Sequence, residues 1–282
     1  MEHEEEKLEQ HQAADGQSNQ DFSMTVIPTD ALACLSSSSQ ETILRLAAHA
    51  WDPPDLSAFP KSRLAAVLIL LYEEFGELRV LLTTRSKALR THAGQTALPG
   101  GRADESDIDV VQTALREAHE EVALPLSSPH IHTVATLEPF ISLHRLVVTP
   151  IIALLTDPTL ISTLRASQDE VSLIFSHPLE AILDPSILLK ETLAAAGTED
   201  WIYETELHST TDSVVAALGD ATYRMHRFRS TASPVKGLTA DILMHVAEVA
   251  FGRPPVYERW AEGQPRGFAT YFKLLGLPQS EN

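Results

Sequence analysis

Residues 98–124 of this 282-residue chain read LPGGRADESDIDVVQTALREAHEEVAL. Two consecutive glycines, Gly100 and Gly101, allow a tight loop whose backbone can come close to a ligand. After this loop, apolar residues recur at spacings of three and four, so the sequence predicts an amphipathic helix over residues 106–124, stopped by Pro125. The apolar stripe of this helix would contain Ile108, Val111, Leu115, Ala118 and Val122.

Three glutamates of the predicted helix, Glu117, Glu120 and Glu121, occupy positions i, i+3 and i+4. This spacing places the three carboxylates on one helix face, opposite the apolar stripe, where they repel one another. A divalent cation would remove this repulsion, and Mg²⁺ prefers such oxygen ligands. Arg116 lies four residues before Glu120 and is expected to orient its carboxylate. A solvated acidic face without a ligand would have the same spacing, so the glutamates alone leave both interpretations open.

A second motif precedes the glycines, where residues 81–101 read LLTTRSKALRTHAGQTALPGG. Arg85 follows a predicted strand, and Arg90 lies on the loop that leads to the glycines. A guanidinium binds phosphate oxygens in a bidentate manner, so both arginines suit a substrate with several phosphates. Each arginine taken alone could instead pair with an acidic residue on the surface.

Residues 101–124 resemble the Nudix box, whose pattern is a glycine, an acidic position and then R-E-x-x-E-E-x-G-hydrophobic. Here the acidic position is Asp107, the interval to Arg116 is one residue longer than the commonest form, and Ala123 replaces the late glycine. The last two departures also occur in the coenzyme A diphosphatase branch of the Nudix hydrolases. Residues 81–101 are similar to the second motif of that branch, with Leu98 in place of Phe.

The resemblance implies an α/β fold, namely a Nudix-type α/β/α sandwich in which a mixed sheet lies between helices. It implies hydrolysis of the diphosphate bond of coenzyme A or acyl-CoA, which gives adenosine 3′,5′-bisphosphate and (acyl-)4′-phosphopantetheine. The implied cofactor is Mg²⁺ or Mn²⁺. The implied metal ligands are Glu117, Glu120 and Glu121, with Arg116 as a further catalytic residue and Arg85, Arg90, Gly100 and Gly101 as substrate-binding residues. Glu170, before a predicted late strand, is a further candidate that competes with a surface role.

Two alternatives remain open beside this function. Within the same enzyme class, the substrate could be another nucleoside diphosphate derivative or an oxidised dNTP. In a different class, the chain could be a non-catalytic Nudix-fold binding module, although such a module would be free to lose the metal glutamates and this chain retains them.

Other chemically active side chains lack the partners that catalysis would need. None of the twelve histidines forms an H-E-x-x-H motif. We expect His119 to be solvated, and His208 and His226 to be hairpin residues. Ser86 and Cys34 have no visible base, which argues against a nucleophilic mechanism.

Composition and charge exclude several other classes of protein. The net charge of −18, from 39 acidic and 21 basic residues, argues against a nucleic-acid binder. The single cysteine excludes an internal disulfide and a cysteine zinc cluster. The chain has no apolar run long enough to span a membrane. We expect an intracellular protein, cytosolic because recognised targeting signals are absent, with mitochondrial and peroxisomal locations and the oligomeric state left open.

The pattern along the chain predicts four regions. These are a disordered acidic tail (1–22), a helical extension (23–59), a hydrolase domain (60–260) and a C-terminal tail (261–282). In the extension, Ser38 and Glu41 have capping-box spacing and predict a helix start. In the domain, strands are predicted over 63–71, 78–84, 131–137, 146–155 and 171–175, a hairpin over 201–207 and 222–228, and a helix over 238–251.

Overall fold

The computed structural model describes residues 27–56 and 59–277, so the predicted acidic tail lies outside the described residues. The helices are α1 (Thr29–Ala33), α2 (Ser37–Ala48), α3 (Val110–Val122), α4 (Gly237–Phe251) and α5 (Phe268–Leu274). The strands are β1 (Leu64–Glu74), β2 (Glu77–Arg85), β3 (Thr96–Ala97), β4 (Gly100–Arg102), β5 (Ile131–Thr136), β6 (Phe140–Ile141), β7 (Val147–Leu155), β8 (Val171–Pro178), β9 (His208–Val215), β10 (Ala221–Phe228) and β11 (Val235–Lys236).

Eight of these strands form one mixed sheet, whose main path runs β3-β2-β1-β7-β5. The central strand β1 pairs with β7 in parallel, from Leu64 opposite Val147 to Leu71 opposite Leu154. The other edge of β1 is shared, because β4 pairs with its first half and β2 with its second half, both antiparallel. Strands β9, β10 and β11 form a separate antiparallel sheet.

The apolar run in β1 is explained by helices on both faces of the sheet. Side chains alternate across a strand, so odd-numbered and even-numbered residues of β1 enter different cores. Ala65, Ile69 and Leu71 pack in the cluster that contains α2 and α4. Ala66, Leu68, Leu70 and Tyr72 pack in the cluster that contains α3. The fold is therefore an α/β/α sandwich around a mixed sheet, which confirms the predicted fold class.

The N-terminal extension contributes to the larger core through α2, whose Ile43 and Leu46 are fully buried there. The predicted start of α2 was wrong by two residues, because the N-cap is Ser36 and not Ser38. The Ser36 hydroxyl accepts a hydrogen bond from the backbone N–H of Ser39 and donates one of 2.6 Å to Glu73 of β1. Ser38 lies inside the first helical turn, so it cannot have the extended backbone of a cap.

Two further expectations differ from the structure. Helix α3 begins at Val110 with Asp109 as its N-cap, so Ile108 is 83% exposed and does not belong to the apolar stripe. The predicted strand over 201–207 is also wrong. The indole of Trp201 is fully buried and donates to the carbonyl of Thr205, which bends this segment into a turn, and the strand that pairs with β10 is β9.

The C-terminal segment contains α5, whose Phe272 is buried against the ring of Phe59 at a centroid distance of 5.4 Å. Among residues 27–56 and 59–277, no helix has the length and apolar character needed to cross a membrane.

Candidate active site

The three predicted glutamates, Arg116 and the two glycines lie where α3 packs against β4, and Arg85 lies beside Glu121. Helix α3 approaches the sheet through small side chains, because Ala114 and Ala118 are fully buried. The carboxylates on its other positions differ in exposure: the side chain of Glu121 is 5% exposed, that of Glu117 17% and that of Glu120 53%. The three carboxylates therefore do not form one uniformly exposed face, because Glu120 is exposed whereas Glu121 is buried under the glycine loop.

Arg116 is the centre of the polar network. Its guanidinium donates to both carboxylate oxygens of Asp107, at 3.0 and 2.9 Å. It also donates to Glu117 at 3.0 Å, to Glu120 at 3.1 Å and to the backbone carbonyl of Arg102 at 3.0 Å. The predicted contact with Glu120 is present, but Glu120 is one of four residues that accept from Arg116. Arg116 therefore fixes the carboxylates of Glu117 and Glu120 relative to the loop before the helix.

Asp107 and Lys61 belong to this network, and neither was assigned a role from the sequence. Asp107 is 5% exposed and also accepts from the Thr113 hydroxyl, and the hydrogen bond from Arg116 lowers its pKa to about 2. Its place as the acidic position of the box was the available signal. The ammonium group of Lys61 donates to the backbone carbonyls of Glu105 and Asp107, a contact that no sequence pattern indicated.

The two glycines of the loop are required by close approach. A Cβ on Gly100 would lie 2.4 Å from the carbonyl oxygen of Ala66 and 2.6 Å from Cα of Val67, so a side chain there would push β4 away from β1. A Cβ on Gly101 would lie 2.5 Å from the carboxylate of Glu117. Gly101 thus leaves the space in which this carboxylate lies against the loop backbone.

Glu121 occupies the most enclosed position of the three glutamates. It accepts a hydrogen bond of 3.3 Å from the backbone N–H of Gly100, and its Oε1 lies 3.7 Å from Nη1 of Arg85. Burial raises the pKa of Glu121 to about 7, against the opposing effects of Gly100 and Arg85. Burial also raises the pKa of Glu117. A cation bound among these carboxylates would therefore offset the desolvation free energy of their charged forms.

Arg85 lies at the end of β2, at the base of the loop that contains Arg90. Backbone hydrogen bonds join Arg85 to Gln95 across this base and join Ser86 to the carbonyl of Glu170. The Nε atom of Arg85 is buried without a hydrogen-bond partner in the described part of the chain. Arg90 is exposed on the loop. The loop therefore holds one arginine beside the glutamates and presents the other to solvent.

Glu170 lies close to the same glutamates, since its charge is among the causes that raise the pKa of Glu117 and Glu121. It is exposed and directly precedes β8. Its backbone carbonyl accepts a hydrogen bond from Ser86 at the base of the loop that contains Arg90.

The remaining reactive side chains lie as expected. His119 is exposed, with Nδ1 2.8 Å from the carbonyl of Leu124 beyond the helix end. His208 and His226 face each other across the β9–β10 hairpin with stacked rings. Within the described residues, Ser86 accepts from the backbone N–H of Ala88 and the Cys34 thiol donates to the carbonyl of Ala31.

A mixed-sheet sandwich with a glycine loop and a glutamate-bearing helix defines a Nudix-type domain. The chain belongs to the Nudix family, because the family profile described as NUDIX domain matches residues 62–202. It is 38% identical over 198 residues to Nudix hydrolase 15, mitochondrial, of Arabidopsis thaliana, which covers 70% of this chain and 62% of that protein. It is 42% identical over 139 residues to the uncharacterized Nudix hydrolase NudL of Yersinia enterocolitica, over 49% of this chain and 67% of that protein.

The chain spans about three-fifths of the length of two relatives from Arabidopsis thaliana, namely 62% of Nudix hydrolase 15 and 57% of Nudix hydrolase 22, chloroplastic. Among solved structures, it is similar to the NUDIX domain of Shewanella oneidensis NrtR, determined in complex with ADP ribose. That match has 26% identity and a TM-score of 0.34, and it covers 47% of this chain and 81% of the other.

Proposed function

We propose that the protein is a Nudix hydrolase that cleaves the diphosphate bond of coenzyme A and acyl-CoA. The products would be adenosine 3′,5′-bisphosphate and (acyl-)4′-phosphopantetheine. The observation that carries the proposal is the position of Arg85, whose guanidinium lies beside Glu121 and whose Nε has no hydrogen-bond partner among the described residues. This arginine belongs to the 81–101 motif that resembles the coenzyme A diphosphatase branch. We also propose residues 60–260 as the extent of the hydrolase domain.

Glu117, Glu120 and Glu121 would hold Mg²⁺ or Mn²⁺. The three carboxylates fit a hard divalent cation, because their oxygens are the ligands that such an ion prefers. Two of them, Glu117 and Glu121, are in surroundings where burial disfavours the charged form, and a bound cation would offset this effect. The bound ion would supply charge neutralisation at the diphosphate and a lowered pKa for a water molecule. Arg116 is proposed to act by orienting two of these carboxylates, and Gly101 by leaving room for one of them.

The arginines of the 81–101 motif would bind the phosphates of the substrate. The buried Nε of Arg85 can donate to an anionic oxygen, which would satisfy a polar atom that has no partner among residues 27–56 and 59–277. Arg90, exposed on the adjoining loop, can reach a phosphate farther from the glutamates. Gly100 would contribute by keeping the loop close to β1, and Glu170, whose backbone carbonyl accepts from Ser86 at the loop base, is a candidate to orient the attacking water.

The 3′-phosphate of coenzyme A provides the sharpest test. The turnover of CoA is compared with that of 3′-dephospho-CoA in the wild type and in Arg85→Ala, Arg90→Ala and the control Arg266→Ala. Arg266 is exposed and stacks on Trp260 in the C-terminal segment. A charge-assisted hydrogen bond to the 3′-phosphate corresponds to about 10–150-fold in kcat/KM. We expect one arginine variant to lose this preference while it retains turnover of dephospho-CoA.

Equal losses on both substrates would place that arginine at the diphosphate instead. A wider screen with ADP-ribose, NADH and oxidised dNTPs in Mg²⁺ and Mn²⁺ tests the substrate class itself. Rapid hydrolysis of one of these compounds without turnover of CoA would replace CoA by another nucleoside diphosphate derivative or dNTP. Binding without turnover of any compound would favour a non-catalytic Nudix module.

A further inference from the structure

Two histidines and a glutamate meet at a place that the proposed reaction does not use. His49 directly follows α2, Glu138 lies between β5 and β6, and His245 lies in α4. One ligand atom from each side chain lies within 4.8 Å of the other two, and no other trio of His, Cys, Asp or Glu in residues 27–56 and 59–277 meets this criterion. Helix α4 packs in the core on the opposite face of the sheet from α3, so this cluster is separate from Glu117, Glu120 and Glu121.

The distances within the cluster are close to those of a metal site. Nε2 of His49 lies 3.5 Å from Oε2 of Glu138, and Nε2 of His245 lies 2.5 Å from the same oxygen. Tetrahedral ligands at bond lengths of about 2.0–2.1 Å stand about 3.4 Å apart. The spacing between His49 and Glu138 already fits. His245 would need to move by about 1 Å when an ion replaces the proton that it shares with Glu138.

An unpaired atom also points to a ligand. Nε2 of His49 is buried and has no hydrogen-bond partner in the described part of the chain, although Glu138 is near. The segment that carries this histidine is held in place, since the indole of Trp51 donates a 2.7 Å hydrogen bond to the carbonyl of Thr136 at the end of β5. A buried nitrogen held toward a carboxylate and a second imidazole is satisfied by coordination of a metal ion.

We propose that His49, Glu138 and His245 bind one divalent transition-metal ion of the Zn²⁺ class. Imidazole nitrogens together with one carboxylate suit Zn²⁺ and similar ions, whereas Mg²⁺ prefers oxygen ligands only. The three side chains are 25%, 37% and 22% exposed, so an ion can enter and water can complete its coordination. The ion connects the end of α2 to α4 and to the β5–β6 loop, and it therefore fixes the N-terminal extension to the domain.

The test uses the full-length chain after removal of metals with a chelator. Isothermal titration with ZnCl₂ and with MgCl₂ is carried out on the wild type, His49→Gln, His245→Gln and two controls. His119→Gln removes an exposed histidine, and Glu121→Gln alters the other carboxylate site. We expect one high-affinity equivalent of Zn²⁺ in the wild type and both controls, with this affinity reduced by at least about 30-fold in His49→Gln and His245→Gln, whereas MgCl₂ should not occupy the histidine site. Saturating Zn²⁺ should raise Tm of the wild type by about 5 °C and leave that of the His245→Gln variant unchanged.

Circular dichroism without metal first establishes that each variant is folded. If His245→Gln fails to fold, His49→Gln decides, because His49 lies outside the helices. Equal Zn²⁺ affinity in the wild type and both histidine variants would overturn the proposal, as would no saturable binding to the wild type. Loss of the Zn²⁺ site in Glu121→Gln but not in the histidine variants would assign the ion to the glutamates of α3 and would also overturn it.

Discussion

Helices α3 and α4 flank the same sheet but are held against it in opposite ways. The buried residues of α4 are all apolar: Ala240, Ile242, Leu243, Met244, Val246, Ala247 and Ala250. Helix α3 buries a threonine and a glutamate among small apolar residues, and Arg116 connects it to the preceding loop through four acceptors. The comparison indicates that burial of apolar area on the α4 side stabilises the fold, whereas hydrogen bonds on the α3 side orient carboxylates.

The largest effect is expected from Leu243→Ala in α4. Leu243 is fully buried in the larger core, so its truncation leaves a cavity and should reduce the free energy of unfolding by about 3 kcal/mol. Urea denaturation measures this loss, and kcat at 20 °C should stay within about twofold of the wild type because the molecules remain folded. Leu44→Ala is the matched control, since Leu44 lies on α2 and is 50% exposed. A loss of kcat that exceeds the loss of folded protein would show that α4 also positions the site.

Glu121→Gln in α3 should have the opposite effect, namely a loss of activity without a loss of stability. On the substrate that the wild type hydrolyses, this change should lower kcat by about a hundredfold, equivalent to about 2.7 kcal/mol, because one proposed metal ligand is lost. Stability should not fall, since the variant removes a carboxyl whose burial raises its pKa to about 7. Thermal denaturation and steady-state kinetics measure the two properties, with the exposed Glu262→Gln as the control. Normal turnover by the variant would show that Glu121 is a buried carboxyl without a catalytic role.

A buried histidine in the sheet between the two helices should contribute to the response to acid. Burial, with the nearby Arg79 charge, lowers the pKa of His177 in β8 from 6.5 to about 4, so the unfolded chain takes up this proton first as the pH falls. The free energy of unfolding that depends on neutral His177 is therefore fully present above pH 6.5 and is lost as the pH falls toward 4. It amounts to about 2 kcal/mol between pH 7 and pH 5.

Measurement of the free energy of unfolding across this range tests the assignment. His177→Gln should remove this part of the pH dependence, whereas His119→Gln, at an exposed position, should not. Parallel curves for the wild type and His177→Gln would contradict it.

The smallest effect concerns the ends of the two helices. Both end in a left-handed residue, which is Ala123 (φ 58°) after α3 and Gly252 (φ 61°) after α4. A residue with a Cβ is strained in this conformation by about 1–2 kcal/mol, whereas glycine is not. Ala123→Gly should therefore raise the free energy of unfolding by about 1 kcal/mol, and Gly252→Ala should lower it by a similar amount. Changes of the same sign in both variants would indicate that unfolded-chain entropy or local contacts determine the outcome.

The parts that the sequence predicted well are those set by neighbours along the chain. The apolar run in β1 and the stripe of α3 are local patterns, and the contact of Arg116 with Glu120 follows from one helical turn. The start of α3 was less predictable, because Ile108 has the spacing of the stripe but precedes the cap at Asp109. Strand β9 was missed because its side chains are mostly exposed, so it has no buried face that could create a hydrophobic period.

The rest of the site depends on contacts between distant segments. Glu121 is buried because β4 lies over it, and the proximity of Arg85 depends on the pairing of β2 with β3. The need for Gly100 arises from the backbone of Ala66 on the neighbouring strand. None of these contacts produces a sequence pattern within a single segment from which it could be predicted. The same holds for the cluster of His49, Glu138 and His245, whose members belong to three separate elements.

The parallel pairing of β1 with β7 also has a consequence for the time course of folding. It joins residue 64 to residue 147, and the glycine loop and α3 lie within the stretch of chain that this pairing closes. Closing a long loop costs entropy before the contacts form, so pairs of this kind form late and slowly. Helix α3 can appear early from local interactions, but its carboxylates acquire their surroundings only once β4 is aligned with β1. During refolding, catalytic competence should therefore return with the slowest phase, after most of the helical circular dichroism has recovered.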